Sequence, residues 1–231
     1  MNKNTGRATK GSRYCLQNYM IKDSGILGNL IFASSPSLLS FTNGQIEWVS
    51  PNTKNDFYEY RDDFLAGLCL ESIDLTDAET KLRKFWPKNG PQWDGIAIVK
   101  SREGKKGVLL IEAKAHPEET KSDLKATNQG SIDMIENSLK YVQGYMSVAP
   151  CDWTRNYYQL ANRIAFLFFM NKTLKIPTWL VLANFLNDKS YKETSLNEWL
   201  NYYNETFMNM GIHQNCKLLD RIIQIFPESL I

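Results

Sequence analysis

The sequence predicts an α/β protein, a mixed β-sheet flanked by helices, and three observations carry that expectation. Two runs rich in Ile, Val and Leu, Trp93–Val99 and Gly107–Ala115, are joined by a short charged segment containing glycine, the pattern of a β-hairpin. A continuous apolar run, Thr178–Leu186, follows a proline and suits a central strand buried on both faces. Around these runs lie stretches with apolar residues at helical spacing, so the order reads helix, hairpin, helix, helix, strand, helix, strand.

The first twenty or so residues are basic and rich in Asn, Thr, Gly and Ser, a segment of about 1–22 whose start is expected to be mobile. Residues 25–55 are short apolar pieces broken by Ser-Ser-Pro, Asn-Gly and Ser-Pro, which read as loops with a short strand at Gln45–Val49. Across Asp56–Ile73, the residues Phe57, Tyr60, Phe64, Leu65 and Leu68 recur at helical spacing. Thr76 followed by Glu79 resembles a capping box, starting a short helix that Pro87 ends. Beyond the hairpin, Ile132, Ile135, Leu139, Val142 and Tyr145 mark an amphipathic helix over Ser131–Tyr145. Thr154–Asn171 is a more apolar, buried helix, Ser195–Gly211 a late helix ending at glycine, and Arg221–Phe226 a final strand. No internal repeat or low-complexity tract is visible.

The 231 residues suit a single domain over 1–231, and 43% hydrophobic with 23% charged residues is the composition of a packed core. A formal charge of +2 is too small to imply a generally basic nucleic-acid binder. The cations are clustered, however. Lys3, Arg7, Lys10, Arg13 and Lys22 precede the first acid, while Lys81, Arg83, Lys84 and Lys88 precede the hairpin and Lys100, Arg102, Lys105 and Lys106 lie in its turn. Such patches hold phosphates as readily as they solvate a surface. Cys15, Cys69, Cys151 and Cys216 form no CxxC pair, which suits reduced thiols and a cytoplasmic protein. Two histidines, His116 and His213, exclude a multi-histidine metal centre. The N-terminus lacks an apolar signal-peptide core, and the longest apolar runs are too short to span a bilayer, so no membrane partner is expected.

The chemistry gathers on the hairpin. If Val99 pairs with Gly107, Asp94 falls opposite Glu112, with Cβ atoms roughly 5 Å apart. Lys114, two residues beyond Glu112, projects from the same face. Two carboxylates this close repel, and the neighbouring Val108, Leu109, Leu110 and Ile111 imply partial burial. A divalent cation resolves the repulsion, and hard oxygen ligands suit Mg²⁺ or Mn²⁺. An ammonium beside it would orient water and stabilise a phosphoryl group. A salt-bridged hairpin, with Lys114 simply neutralising Glu112, is the structural alternative.

Pro91-Gln92-Trp93-Asp94-Gly95 followed by Leu110-Ile111-Glu112-Ala113-Lys114 resembles the signature of the PD-(D/E)XK, or restriction endonuclease-like, nuclease superfamily. The resemblance covers the hairpin and, in order of elements, roughly residues 56–186. It departs in that Trp93 stands directly before Asp94, with Pro91 three residues upstream. The resemblance implies a restriction endonuclease-like sandwich and a metal held by Asp94, Glu112 and the backbone carbonyl of Ala113. Lys114 would then help to activate water for in-line attack on a phosphodiester. A further acid on the preceding helix is also implied, and Glu71 is the candidate, extending the Phe64 and Leu68 stripe, whereas Glu59 falls on the more polar side with Asp63. Arg155, Gln159, Asn162 and Arg163 make a polar stripe on the helix that follows, so Gln159, Arg163 and Arg155 are candidate substrate-binding residues. His116 reads as a strand-end residue, and Trp86, Trp93 and Trp153 as core rather than base-stacking platforms. The expected function is metal-dependent hydrolysis of nucleic acid, DNA before RNA, with a homodimer as a compatible assembly. The competing reading is a catalytically silent nuclease-like module within a larger assembly.

Overall fold

The computed structural model describes residues 5–230. In chain order its elements are α1 (Gly11–Lys22), α2 (Ser24–Ala33), α3 (Pro36–Phe41), β1 (Thr42–Ser50), α4 (Phe64–Gly67), α5 (Leu75–Phe85), β2 (Gly95–Ser101), β3 (Lys106–Lys114), α6 (Gln129–Met146), α7 (Tyr158–Phe168), β4 (Thr178–Asn184), α8 (Leu196–Asn209) and β5 (Ile222–Ile225), with short 3₁₀ turns between some of them and a π-helical turn, Phe169–Thr173, ending α7. The strands form one sheet in the order β1-β2-β3-β4-β5. The first three pair antiparallel and the last three parallel, so the sheet is mixed and the α/β expectation holds.

Side-chain alternation sorts the sheet into two buried faces. On one, Ile96, Ile98, Val108, Leu110, Leu180 and Leu182 pack against α5, α6, α7 and α8. On the other, Ala97, Val99, Leu109, Ile111, Val181 and Ile223 pack against α1, α2 and α3. β4 lies inside the sheet, between the central strand β3 and the edge strand β5, and is buried at every position, as its unbroken apolar run requires. Val99 pairs with Gly107, the register expected from the sequence.

Several local expectations are corrected. Residues 25–55 are not loops: α2 and α3 occupy most of 24–41 and β1 runs the full length of 42–50. Ser35 caps α3 with its hydroxyl, and Pro36 sits where a missing N–H costs nothing, so Ser-Ser-Pro starts a helix rather than breaking one. The basic N-terminal segment is built into the fold from Gly11 on, with Cys15, Leu16 and Tyr19 fully buried against the sheet; its first four residues lie outside the described part. The long helix expected over 56–73 shrinks to the single turn of α4. Asp56, Phe57 and Cys69 adopt left-handed backbone conformations that interrupt a helix, and Asp62 and Asp63 accept backbone N–H bonds from Asn89, Gly90 and Arg61 instead of continuing one. The apolar residues at helical spacing are buried all the same, by a loop that wraps the core. Asp74, not Thr76, caps α5, accepting from Asp77 N at 3.1 Å. The helix expected from Thr154 begins only at Tyr158, because Asp152 and Asp123 tie down the backbone at Thr154 and Asn156. Ser195 and Glu198 complete a capping box at the start of α8. The four cysteines are free, and no helix among the described residues is long and apolar enough to cross a membrane.

Candidate active site

The site lies on the helix-rich face of the sheet, where the antiparallel and parallel halves meet at the C-terminal end of β3. Asp94 stands one residue before β2. Its Oδ2 accepts the Ala113 N–H at 2.7 Å, so the carboxylate takes up the ladder position just past the last strand pair. Gly95 eases that position: a Cβ there would lie 3.2 Å from the Ser50 carbonyl oxygen and 3.3 Å from Ile111 Cβ, because the irregular end of the paired strand β1 comes close to the start of β2. Glu112 and Lys114, two residues apart, share one face by strand alternation. Lys114 Nζ donates to Glu112 Oε1 and, at 3.1 Å, to the Ala113 carbonyl oxygen.

Arg163 on α7 completes the arrangement. Its Nε donates to Glu112 Oε2 at 2.5 Å, Nη1 to Asn162 Oδ1 at 2.7 Å and Nη2 to the Gln92 carbonyl oxygen at 2.8 Å, and its guanidinium lies 5.0 Å from the Trp93 ring centroid. The role expected of Arg163 is therefore corrected: it is 96% buried with its donors engaged inside the protein, and it orients Glu112 rather than reaching for substrate. Glu59 brings a third acid. Trp93 N donates to the Tyr60 carbonyl oxygen at 2.8 Å, which holds the 57–63 loop against the strand entering β2. Glu59 is thereby buried, paired with Arg13 Nε of α1 at 2.7 Å and bonded by the Gln92 side chain.

The electrostatics follow from these neighbours. Burial, reinforced by the nearby Glu112 charge, pushes the Asp94 carboxyl up to about 7, against the pull of Lys114. Asp94 keeps a partly accessible edge although its carboxylate lies deep among protein atoms. Burial also acts to raise Glu112, but Arg163 and Lys114 outweigh it and hold this acid below the ordinary carboxylate range. Burial acts to lower Lys114, and Glu112 and Asp94 outweigh that and keep it firmly protonated. Burial leaves Glu59 raised despite Arg13. Three carboxylates, Asp94, Glu112 and Glu59, thus face three cations, Lys114, Arg163 and Arg13.

Beside Glu112 and Lys114 is a cavity of about 20 Å³, walled by Gln159, Tyr202, Tyr203 and Thr206 among others, room for about one water molecule. Tyr203 anchors its floor by donating to Asn184 Oδ1 at 3.0 Å, and Asn184 is the β4 residue paired with Lys114. The polar atoms that meet here suit a hard divalent cation. The Ala113 carbonyl and one Glu112 oxygen already converge on a cation, the Lys114 ammonium, and Asp94 lies within the reach of its charge. Among the described residues no three His, Cys, Asp or Glu side chains form a ready-made cage. Asp94, Glu112 and the Ala113 carbonyl fit a metal only if Lys114 swings aside, with the backbone oxygen as the third donor.

Of the residues singled out from the sequence, Asp94, Glu112, Lys114 and the Ala113 carbonyl are brought together, and Gln159 joins them at the cavity wall. Glu71 is corrected: it is exposed beside Lys105 and Lys106 at the turn end of the hairpin. Six residues of strand separate that end from Glu112, about 20 Å. The acid that does enter the site is Glu59. Reading 56–73 as a helix turned it outward, and no local sequence pattern distinguishes it, since Arg13 and Gln92 are remote in the chain. Arg155 is not brought to Glu112 and Lys114: it stands exposed in the loop before α7, paired with Asp152 at 3.8 Å. His116 is buried past the end of β3, facing Glu118 and Glu119. Trp86 and Trp153 are core residues. Comparison with protein-family models, with curated proteins and with solved structures finds no match to this chain.

Proposed function

We propose that this protein is a metal-dependent nuclease of the restriction endonuclease-like type, hydrolysing phosphodiester bonds of nucleic acid, DNA before RNA. The observation that carries the reading is the convergence of Asp94, Glu112 and Lys114 on one sheet face, with the Ala113 carbonyl between them. Structural charge pairs do not need a second carboxylate raised to about 7 beside a first that is already doubly paired. Asp94, Glu112 and the Ala113 carbonyl would hold Mg²⁺ or Mn²⁺, which supplies Lewis acidity and a water of lowered pKa when bound. Hydrolysis joins the water oxygen to phosphorus and breaks the bond to the leaving oxygen, which departs with a proton. Lys114, moved off Glu112 and the Ala113 carbonyl, would bring its positive charge beside the phosphoryl oxygens as they gain negative charge. Arg163, locked by Gln92, Asn162 and Trp93, keeps Glu112 in one orientation.

One observation favours a second reading, a catalytically silent nuclease-like module. Both oxygens of Glu112 are engaged by cations of the protein itself. Calorimetry with Mn²⁺ separates the two. The nuclease reading expects binding to the parent, much weaker binding to Asp94→Ala, and nicking or degradation of plasmid DNA by the parent in Mg²⁺ or Mn²⁺. Mn²⁺ binding without hydrolysis of DNA or RNA would leave the silent module, and equal binding by both proteins would remove the metal site altogether.

A further inference from the structure

A groove of about 390 Å³ opens on the same side of the molecule between the end of α5 and the start of α6. Lys88 and Asn89 form one lip, Lys125 and Asn128 the other, over a floor that includes Trp86 and Tyr158. No carboxylate lines it, and both lysines are exposed, with no hydrogen-bond or ion-pair partner among the described residues. Some exposed lysines elsewhere pair, as Lys81 does with Asp77, Lys140 with Glu136 and Lys192 with Glu118, and others do not; what sets Lys88 and Lys125 apart is that both border one concavity without a carboxylate. Two unpaired cations over a concave, acid-free floor make a seat for an anion carried on a larger body.

The floor of the groove adjoins the candidate active site. Tyr158 lies one turn before Asn162 on α7, Asn162 accepts from Arg163, and Arg163 holds Glu112. Tyr157 and Gln159, on either side of Tyr158, wall the cavity beside Glu112 and Lys114. The first turn of α7 therefore separates the groove from the site by one layer of side chains. On the opposite lip, Lys88 and Asn89 lead through Gly90 to Gln92, whose carbonyl Arg163 binds.

We infer that this groove seats the phosphodiester backbone of the DNA strand that leads into the site, with Lys88 and Lys125 each neutralising a phosphate. The inference rests on the nuclease reading for the identity of the anion. Each phosphate neutralised releases condensed counterions, so the affinity of a duplex should fall with salt more steeply for each such contact. The experiment is fluorescence anisotropy with a labelled duplex oligonucleotide in chelator, over a salt series. It compares the parent, Asp94→Asn, the double variant Lys88→Gln/Lys125→Gln, and a charge-matched control, Lys105→Gln/Lys175→Gln, at the hairpin turn. The groove variant should bind more weakly, with a log–log salt slope shallower by about 1.8, while Asp94→Asn and the control keep the parental slope. Because all four lysines are exposed, matched thermal melts establish that folding is unchanged. An equal drop in both double variants would mean diffuse electrostatics, and a groove variant that binds like the parent would mean that no phosphate sits there. Either outcome overturns the groove and leaves the nuclease reading standing. A parent that binds no nucleic acid would overturn both.

Discussion

Strand β3 faces two different environments with alternate residues. Toward α1 and α2 it presents Leu109, Ile111 and Ala113, all fully buried among apolar neighbours. Toward α7 and α8 it presents Val108 and Leu110, and then Glu112 and Lys114, which are almost as deeply buried. Backbone, strand and depth are the same, so the difference lies in side-chain chemistry alone. The apolar side is what burial favours: each such side chain stabilises by roughly 1.5–3 kcal/mol. On the other side a carboxylate and an ammonium forgo that gain and must be paired to be tolerated at all. Arg163, reaching from α7 into the same cluster, shows how much surrounding structure is committed to holding them. Apolar replacements of similar volume are often neutral or stabilising at such a face, so stability alone does not account for these charges.

That contrast can be broken most directly at Glu112. Glu112→Gln keeps the shape but leaves Lys114 and Arg163 buried against a neutral amide, and it should destabilise the protein by about 3–5 kcal/mol in urea titrations. A loss below about 1 kcal/mol would show that the two cations find other partners, and that the cluster is looser than its geometry. Lys114 is next. Lys114→Met should retain Mn²⁺ binding in calorimetry while hydrolysis of DNA falls by about 10²–10³-fold, the effect of removing one preorganised stabiliser of transition-state charge. Unchanged turnover would reduce Lys114 to a counter-charge for Glu112.

Asp94 sharpens the comparison because it should behave oppositely to Glu112. Its carboxyl is raised from 3.8 to about 7, so the native state holds a proton that the unfolded chain has already released. Stability from this group is therefore full below about pH 4 and lost as pH rises through 7. In chelator, Asp94→Asn should be as stable as the parent near pH 4 and about 1–2 kcal/mol more stable at pH 8, since the amide keeps the bond from Ala113 N and sheds the repulsion. Parallel stability–pH curves for the two proteins would refute the like-charge argument. The smallest effect is expected at Arg155, whose side chain is exposed and only loosely paired with Asp152. Arg155→Ala should change the unfolding free energy by less than about 0.5 kcal/mol and leave DNA hydrolysis within roughly twofold of the parent.

The two halves of the site were not equally legible. Asp94, Glu112 and Lys114 follow from a hairpin whose register is set by the two apolar runs and the turn between them, because a shift of one residue would turn every side chain to the wrong face. The same logic gave β4 and the cores of α6, α7 and α8. Glu59, Arg13 and the clamping role of Arg163 were not readable. Helical spacing at Phe57, Tyr60 and Phe64 was real, yet the chain satisfies it with a wrapped loop, which reverses the side on which Glu59 falls. Helix α1 was hidden for a related reason. Its buried face includes Gln17 and Asn18, polar residues tolerated there because Arg7 donates to both side chains.

By itself the sequence determined the α/β class, the hairpin register and the acid–acid–lysine face, since each rests on the two-residue periodicity of a strand and on neighbours close in the chain. Only the tertiary structure decided which remote groups meet that face. Glu59 comes from a loop, Arg13 from the first helix and Arg163 from the seventh, and their positions depend on how separate elements pack across the sheet. The balance of three carboxylates against three cations belongs to that packing. Low-dielectric burial couples charges strongly only once distant segments have brought them within a few ångströms, and no local pattern encodes that approach.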